Sequence, residues 1–252
     1  MSHDLPTLLL AACSMGFFHT LIGPDHYLPF VAMARIGRWS LGRTLGVTLL
    51  CGIGHVAGSI VIGFIGIGCG IALFKLESIE AFRAEIAGWL LLAFGLTYFT
   101  YGLWRAIRNQ PHSHVHVHED GTIHTHKHTH TDEHLHVHAG NPQSSIPATA
   151  GELHPQSKEP RLTPWVLFTI FLFGPCEPLI PFLMYPAAQA DYRSVGLVAG
   201  LFGATTLATM TAIVAALYLG ATAIPFARFH RYAHAMAGFV IVCCGVAVKA
   251  GM

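Results

Sequence analysis

Two short segments set metal-binding side chains beside helix breakers: Gly23-Pro24-Asp25-His26-Tyr27-Leu28-Pro29-Phe30 and, one residue longer, Gly174-Pro175-Cys176-Glu177-Pro178-Leu179-Ile180-Pro181-Phe182. Imidazole, carboxylate and thiolate are the side chains that hold divalent transition metals. A proline inside a helix removes a backbone bond and clashes one turn back, so at membrane depth it survives where the freed backbone is buried or lines a cavity. Matched, proline-interrupted segments in the two halves of a chain point to a transporter's binding site.

The candidate metal ligands are His19, Asp25 and His26 around the first break, His55 in the next apolar run, and Cys176 with Glu177 in the second break. Ionisable groups within a bilayer are costly and are functional hypotheses by default. On a continuous helix His19 and His26 stand about two turns apart on one face, and Gly23-Pro24 can draw them closer. Imidazoles with a carboxylate form a borderline donor set that suits Ni²⁺, Co²⁺ or Zn²⁺ rather than Mg²⁺ or Ca²⁺. Taken singly, His55 also reads as a helix-bridging hydrogen bonder, Cys176 as inert packing, and Asp25 with His26 as a structural ion pair. Glu177 resists an inert reading, because an unpaired carboxylate at that depth must be neutralised or matched to a cation.

A second concentration of ligands lies between Pro111 and Ala139, where His112, His114, His116, His118, His124, His126, His128, His130, His134, His136 and His138 supply eleven of the eighteen histidines. This stretch and the Pro/Ser/Gln-rich linker after it lack the apolar residues of a core. Alternating His-x-His spacing suits easily formed, easily released metal sites, so the loop is expected to be an auxiliary collector or buffer.

Those groups need a scaffold, and the composition names it. Of 252 residues, 53% are apolar and 11% charged, against roughly 25% charged in soluble domains. Apolar runs at about 5 to 34, 41 to 74, 84 to 107, 164 to 188, 194 to 219 and 225 to 249 predict six membrane spans, the second overlong. No cleavable signal-peptide pattern is expected at the first run. All six cysteines fall in apolar runs, which argues against a secreted disulfide framework.

The halves match beyond the breaks: Ile86-Ala87-Gly88-Trp89 with Gly95 is echoed by Met236-Ala237-Gly238-Phe239 with Gly245, and Gly46 by Gly196. Three spans per unit force the second copy to enter the membrane in the opposite sense. The expected fold is therefore an all-α integral membrane protein of six transmembrane helices, an inverted 3+3 repeat with broken helices 1 and 4. The expected divisions are residues 1–108, a first three-helix repeat; 109–161, the His-rich loop and linker; and 162–252, the second repeat. Arg35, Arg38, Arg43, Arg105, Arg108, Lys127, Lys158, Arg161, Arg228 and Arg231 fall on one side, against Lys75, Arg83, Arg193 and Lys249 on the other. By the positive-inside rule the His-rich loop is cytoplasmic and both termini are outside, in a multi-pass protein of the inner membrane.

His19-Thr20-Leu21-Ile22-Gly23-Pro24-Asp25-His26 resembles the His-x4-Asp-His signature of the nickel/cobalt transporter superfamily, with five residues rather than four between His19 and Asp25. That superfamily includes nickel/cobalt efflux proteins and urease-accessory membrane proteins. Gly54-His55 resembles its second His-bearing motif, and Gly174-Pro175-Cys176-Glu177-Pro178 its counterpart in the second half. The resemblance implies transport of Ni²⁺ or Co²⁺, and the His-rich loop is more like that of the efflux members.

The function expected is secondary transport of a divalent transition metal, Ni²⁺ or Co²⁺ with Zn²⁺ as a further cargo, by two three-helix units rocking past each other. No permanent cofactor and no enzymatic activity are expected, since no nucleotide loop or Ser-His-Asp set is present. The expected partners are the metal ion and the lipid bilayer, with a homo-oligomer and a cytoplasmic metallochaperone compatible with this scheme. Net charge near zero argues against nucleic acid. Two alternatives differ in class. A transmembrane thiol-disulfide electron carrier would use Cys176, whose repeat partner is Asp25 rather than a second cysteine. A small-anion exporter of related fold would need basic groups that the two breaks lack.

Overall fold

The computed structural model describes residues 4–108, 112–117, 123–128, 163–223 and 232–251. Helix α1 (Asp4–Ile22) stops at Gly23, and Pro24–His26 form a single 3₁₀ turn that leads into α2 (Leu28–Ile36). Gly23 is extended (φ −79°, ψ 95°). The next residue is Pro24, which offers no amide to continue the helix. Helix α3 (Leu41–Gly68) starts at Ser40, whose Oγ accepts the Arg43 amide at 3.3 Å.

Helix α4 (Leu73–Ile107) is 35 residues long, and this corrects the expected boundaries of spans two and three. The chain turns at Gly68-Cys69-Gly70, with Gly70 left-handed at φ +63°. Residues 73–83 consequently extend the third apolar run and do not prolong the second. Helix α5 (Thr163–Phe173) ends at the second break, α6 (Leu179–Ala188) follows it, and α7 (Tyr192–Ala223) and α8 (Ala233–Lys249) complete the helices among the described residues. The Asp191 carboxylate accepts the Ser194 amide (3.2 Å) and hydroxyl (2.5 Å) at the start of α7. These bonds hold the half-buried Asp191 carboxyl below the usual carboxylate range.

Four of these helices, α1, α3, α4 and α7, are long and apolar enough to cross a membrane, while α5, α6 and α8 are shorter apolar helices. The first residues of the expected sixth span, 225–231, lie outside the described residues. Leu10, Phe18, Ile22, Phe82, Trp89 and Ile107 all face outward and are more than half exposed. Such a rim of large apolar side chains is compatible with a multi-pass membrane protein.

The most extensive helix pair is α4 with α8. Built at Gly95, a Cβ would lie 2.7 Å from the Val242 amide nitrogen; at Gly102 and Gly238 it would lie 2.3 Å from those of Ala235 and Phe99. Because Gly88 faces Lys249, Gly95 faces Val242 and Gly102 faces Ala235, the two helices run antiparallel in backbone contact. The seam ends in an ion pair between Lys249 and Glu85, with the ammonium also over the Trp89 ring. Around it, α1 packs on α7 and α5 on α3, α2 on α8 and α6 on α4.

Within the His-rich segment the described residues form a two-stranded antiparallel hairpin, β1 (His112–Val117) and β2 (Ile123–His128). The register sets His112 opposite His128, His114 opposite His126 and His116 opposite His124. His118, His130, His134, His136 and His138 lie outside the described residues.

Candidate metal centre

His19 sits in the last turn of α1, and the Gly23 amide still donates to its carbonyl at 3.1 Å. On an unbroken helix seven residues rise about 10 Å. The 3₁₀ turn folds the chain back, so the His19 and His26 ring centroids are 4.8 Å apart, edge to face. Halfway along α3, His55 adds a third ring, 5.0 Å from His26 and 6.5 Å from His19. One nitrogen from each of the three lies within 4.8 Å of the others. Nitrogens sharing one tetrahedral ion at about 2.0–2.1 Å stand roughly 3.3 Å apart, so shifts on the order of 1 Å bring all three onto a common ion.

His26 and His55 are 3% and 2% exposed. His26 Nδ1 faces two acceptors, the Gly23 carbonyl at 3.2 Å and Asp25 Oδ1 at 3.3 Å. That environment puts the ring proton on Nδ1 and leaves Nε2 as a lone-pair donor, the arrangement in which a carboxylate orients a metal-ligating histidine. His26 Nε2 and both nitrogens of His55 are buried without a hydrogen-bond partner among the described residues. Asp25 thus holds His26 and is not in the three-nitrogen group. It also lines a cavity of about 20 Å³ together with His55, Phe171, Gly174 and Pro175, room for one water-sized occupant.

Two glycines make space for the rings. A Cβ at Gly23 would lie 2.5 Å from His26 Nδ1, and one at Gly174 would lie 2.6 Å from His55 Nδ1. These are corresponding glycines of the two matched breaks, and each shapes the pocket of one imidazole.

Cys176 is fully buried, with Sγ 3.9 Å from His19 Nε2. All six cysteines are free. Glu177, by contrast, is exposed and faces a surface depression of about 420 Å³ with Glu77 and Ser78. The expectation that Glu177 is a metal ligand matched to a cation within the bundle is therefore corrected. In the turn that starts α6, the Leu179 amide bonds the Cys176 carbonyl (2.9 Å) and the Ile180 amide bonds that of Glu177 (3.2 Å). This turn directs consecutive side chains inward and outward.

The acid beside Cys176 is Glu80, fully buried, in a group that sequence reasoning missed. Arg83 Nη1 donates to Glu80 Oε1 at 2.5 Å and to Ser59 Oγ at 3.0 Å, while Nη2 donates to the carbonyls of Leu172 (2.8 Å) and Gly174 (3.2 Å). The Cys176 amide donates to Ser59 Oγ (3.2 Å) and Glu80 Oε2 (3.1 Å). Arg83, assigned above to a loop, is in fact buried between α3, α4 and the second break, so the expectation that the breaks lack basic groups is corrected: one lies on the second break, neutralised by Glu80. The available signal was the spacing of Leu76, Glu80, Arg83, Ala87 and Leu91 along one buried stripe of α4. No protein-family model matches the chain, and neither a curated protein nor a solved structure is found to be similar to it.

Proposed function

We propose that the protein is a secondary transporter of divalent transition-metal ions, Ni²⁺ or Co²⁺ with Zn²⁺ as a further cargo. The observation that carries this reading is the convergence of His19, His26 and His55 within 4.8 Å, with three buried ring nitrogens lacking a hydrogen bond among the described residues. Buried polar groups left unmatched cost about 1–3 kcal/mol each, so such a cluster is retained where an ion satisfies it. Neutral imidazoles suit these metals, and the Asp25 carboxylate adds negative charge against a cation. A thiol electron carrier would need a second sulfur beside Cys176, but Sγ meets the His19 imidazole.

The packing favours an inverted 3+3 repeat, with α1–α2, α3 and α4 repeated as α5–α6, α7 and α8. Exchanging the halves turns the α1 on α7 contact into α5 on α3, and α2 on α8 into α6 on α4. In this scheme α5 and α6 form one broken span and α8 belongs to another, unbroken one, which brings the spans to six. With Arg83 withdrawn from the count, the Lys and Arg distribution still favours a cytoplasmic His-rich loop in a cell with an inner membrane, and a collecting loop there favours outward transport. The resemblance to the nickel/cobalt superfamily agrees with this cargo and direction.

Elemental analysis of cells with and without the protein, challenged by nickel, cobalt, zinc and copper in turn, tests the reading. A fall in cellular nickel or cobalt is expected, lost in His26→Ala and Asp25→Ala proteins that still reach the membrane. Unchanged metal flux in vesicles carrying either variant would overturn it.

A further inference from the structure

We propose that Ser59, Glu80 and Arg83 are positioning residues that clamp the second break so that Cys176 becomes the thiolate donor of the three-imidazole site. The inference rests on the transport reading for the identity of that site.

The break leaves backbone groups that no helix can satisfy. A helix continuing past Phe173 would pair the Leu172 carbonyl with the Cys176 amide and the Gly174 carbonyl with residue 178, but Pro178 has no amide to give. Arg83 Nη2 serves both carbonyls, at 2.8 and 3.2 Å. The orphaned Cys176 amide turns to Ser59 Oγ and Glu80 Oε2 instead. Ser59 Oγ in turn donates to Glu80 Oε2 at 2.9 Å, closing the network. An ion pair at this depth is expensive unless its remaining groups are hydrogen-bonded, and each of these is put to use on the broken chain.

The clamp also has a made-to-fit cradle. At Gly58 a Cβ would lie 2.5 Å from Arg83 Nη2 and 3.3 Å from the Leu172 carbonyl oxygen, so any larger residue must push the guanidinium off its present seat. Arg is required rather than Lys, since a planar fork reaches two carbonyls, a hydroxyl and a carboxylate at once. The segment it fixes holds Gly174 against His55 Nδ1 and Cys176 Sγ 3.9 Å from His19 Nε2. Two contacts of the candidate metal cluster are thereby set by a network lying outside it. On binding, the metal replaces the thiol proton, which leaves to solvent.

The test uses full-length purified protein titrated with cobalt chloride. A thiolate bound to Co²⁺ gives a near-ultraviolet charge-transfer band, whereas imidazoles alone give only the visible ligand-field bands. The wild type is expected to show both, and Cys176→Ser the visible bands alone. Gly58→Ala displaces the guanidinium without removing a charge, and Ser59→Ala removes the bridging hydroxyl. Each is expected to lose at least half of the charge-transfer intensity, with visible bands retained and affinity lowered by about 10–100-fold. Arg83→Lys should fall between the wild type and Arg83→Ala. Full charge-transfer intensity in Gly58→Ala and Ser59→Ala overturns the clamp even if Arg83→Ala does not accumulate. A wild-type Co²⁺ spectrum unaltered by Cys176→Ser overturns the thiolate assignment while leaving the three-imidazole site standing. Absence of metal flux in vesicles is the separate result that removes the transport reading.

Discussion

His19 Nε2 lies 3.9 Å from Cys176 Sγ, a contact between residues 157 positions apart. One belongs to the turn before the first proline break and the other to the second break itself. The two interrupted segments therefore meet at side chains that both bind soft and borderline metals. Which of these side chains grip an ion, and how hard, is open to direct measurement.

Removing a ring from the cluster should cost more than the roughly 10–100-fold in metal affinity that loss of an orienting partner costs. His26→Ala and His55→Ala are both expected to exceed that range for Ni²⁺ in a competition titration that separates the tight site from weak loop sites. Asp25→Asn, which keeps the shape but weakens the hold on His26 Nδ1, should fall within it. Equal affinities for all three variants and the wild type would remove these rings from the site.

Gly23 and Gly174 give a subtler handle, because a methyl group at either would press within 2.6 Å of an imidazole nitrogen. Gly174→Ala should tilt His55 and Gly23→Ala should tilt His26, each weakening Ni²⁺ binding at least tenfold. Surface accessibility and membrane insertion should stay at the wild-type level. Unchanged binding in both would mean that the rings have slack the packing does not suggest.

Protons and metal compete for the same lone pairs. Because an imidazole that has taken up a proton has no lone pair left for the ion, apparent affinity should drop as the solution is acidified. Metal release from loaded protein on acidification reads this directly, and a flat profile would remove the imidazoles from the site.

Deleting residues 112–138 should leave transport intact at saturating metal and slow it at scarce metal, since the hairpin is expected to collect ions rather than pass them. Its register sets three histidine residues of one strand directly opposite three of the other, and directly opposed cross-strand residues are near enough to interact. On that basis His114→Ala, His126→Ala and the double variant should lose the same quantity of bound Zn²⁺. Additive losses would show that the two act separately.

At the α4–α8 seam, Gly102→Ala and Gly238→Ala would set a methyl group 2.3 Å from the opposing backbone. Backbone cannot step aside as a flexible side chain does, so overpacking here should cost at least the typical ~1–3 kcal/mol. Thermal denaturation in detergent should register it as a lowered midpoint, whereas Gly46→Ala and Gly196→Ala, which meet nothing within 4 Å, should be near neutral.

How much of this could be read from the chain depends on the residue. The proline breaks and the approach of His19 to His26 followed from residue type and spacing, because breakers and buried imidazoles have few other uses at membrane depth. His55 was a candidate that residue type left open beside a helix-bridging hydrogen bond, and its place beside the other two rings needed the packing of α3. Glu177 could not be placed that way. One residue after Cys176 in a tight turn, it points to the opposite side, and only three-dimensional geometry settles which of two neighbours faces in. Glu80 and Arg83 were hidden by a helix boundary. Once Gly70 turns the chain, both belong to α4 and their charges cancel inside the bundle, although a hydropathy reading assigns them to a loop. The glycines of the seam stood out as a repeat, yet their purpose, backbone meeting backbone, needed the partner helix.

That seam restricts how the molecule can work. Helices α4 and α8 come from opposite halves of the chain, and their glycines leave no lubricating layer of side chains between them. Sliding one past the other would drive amide against amide, so the pair serves as a keel rather than a hinge. If the metal cluster is to open first to one side and then to the other, the movement falls to the short arms around the breaks, pivoting on a spine that stays still.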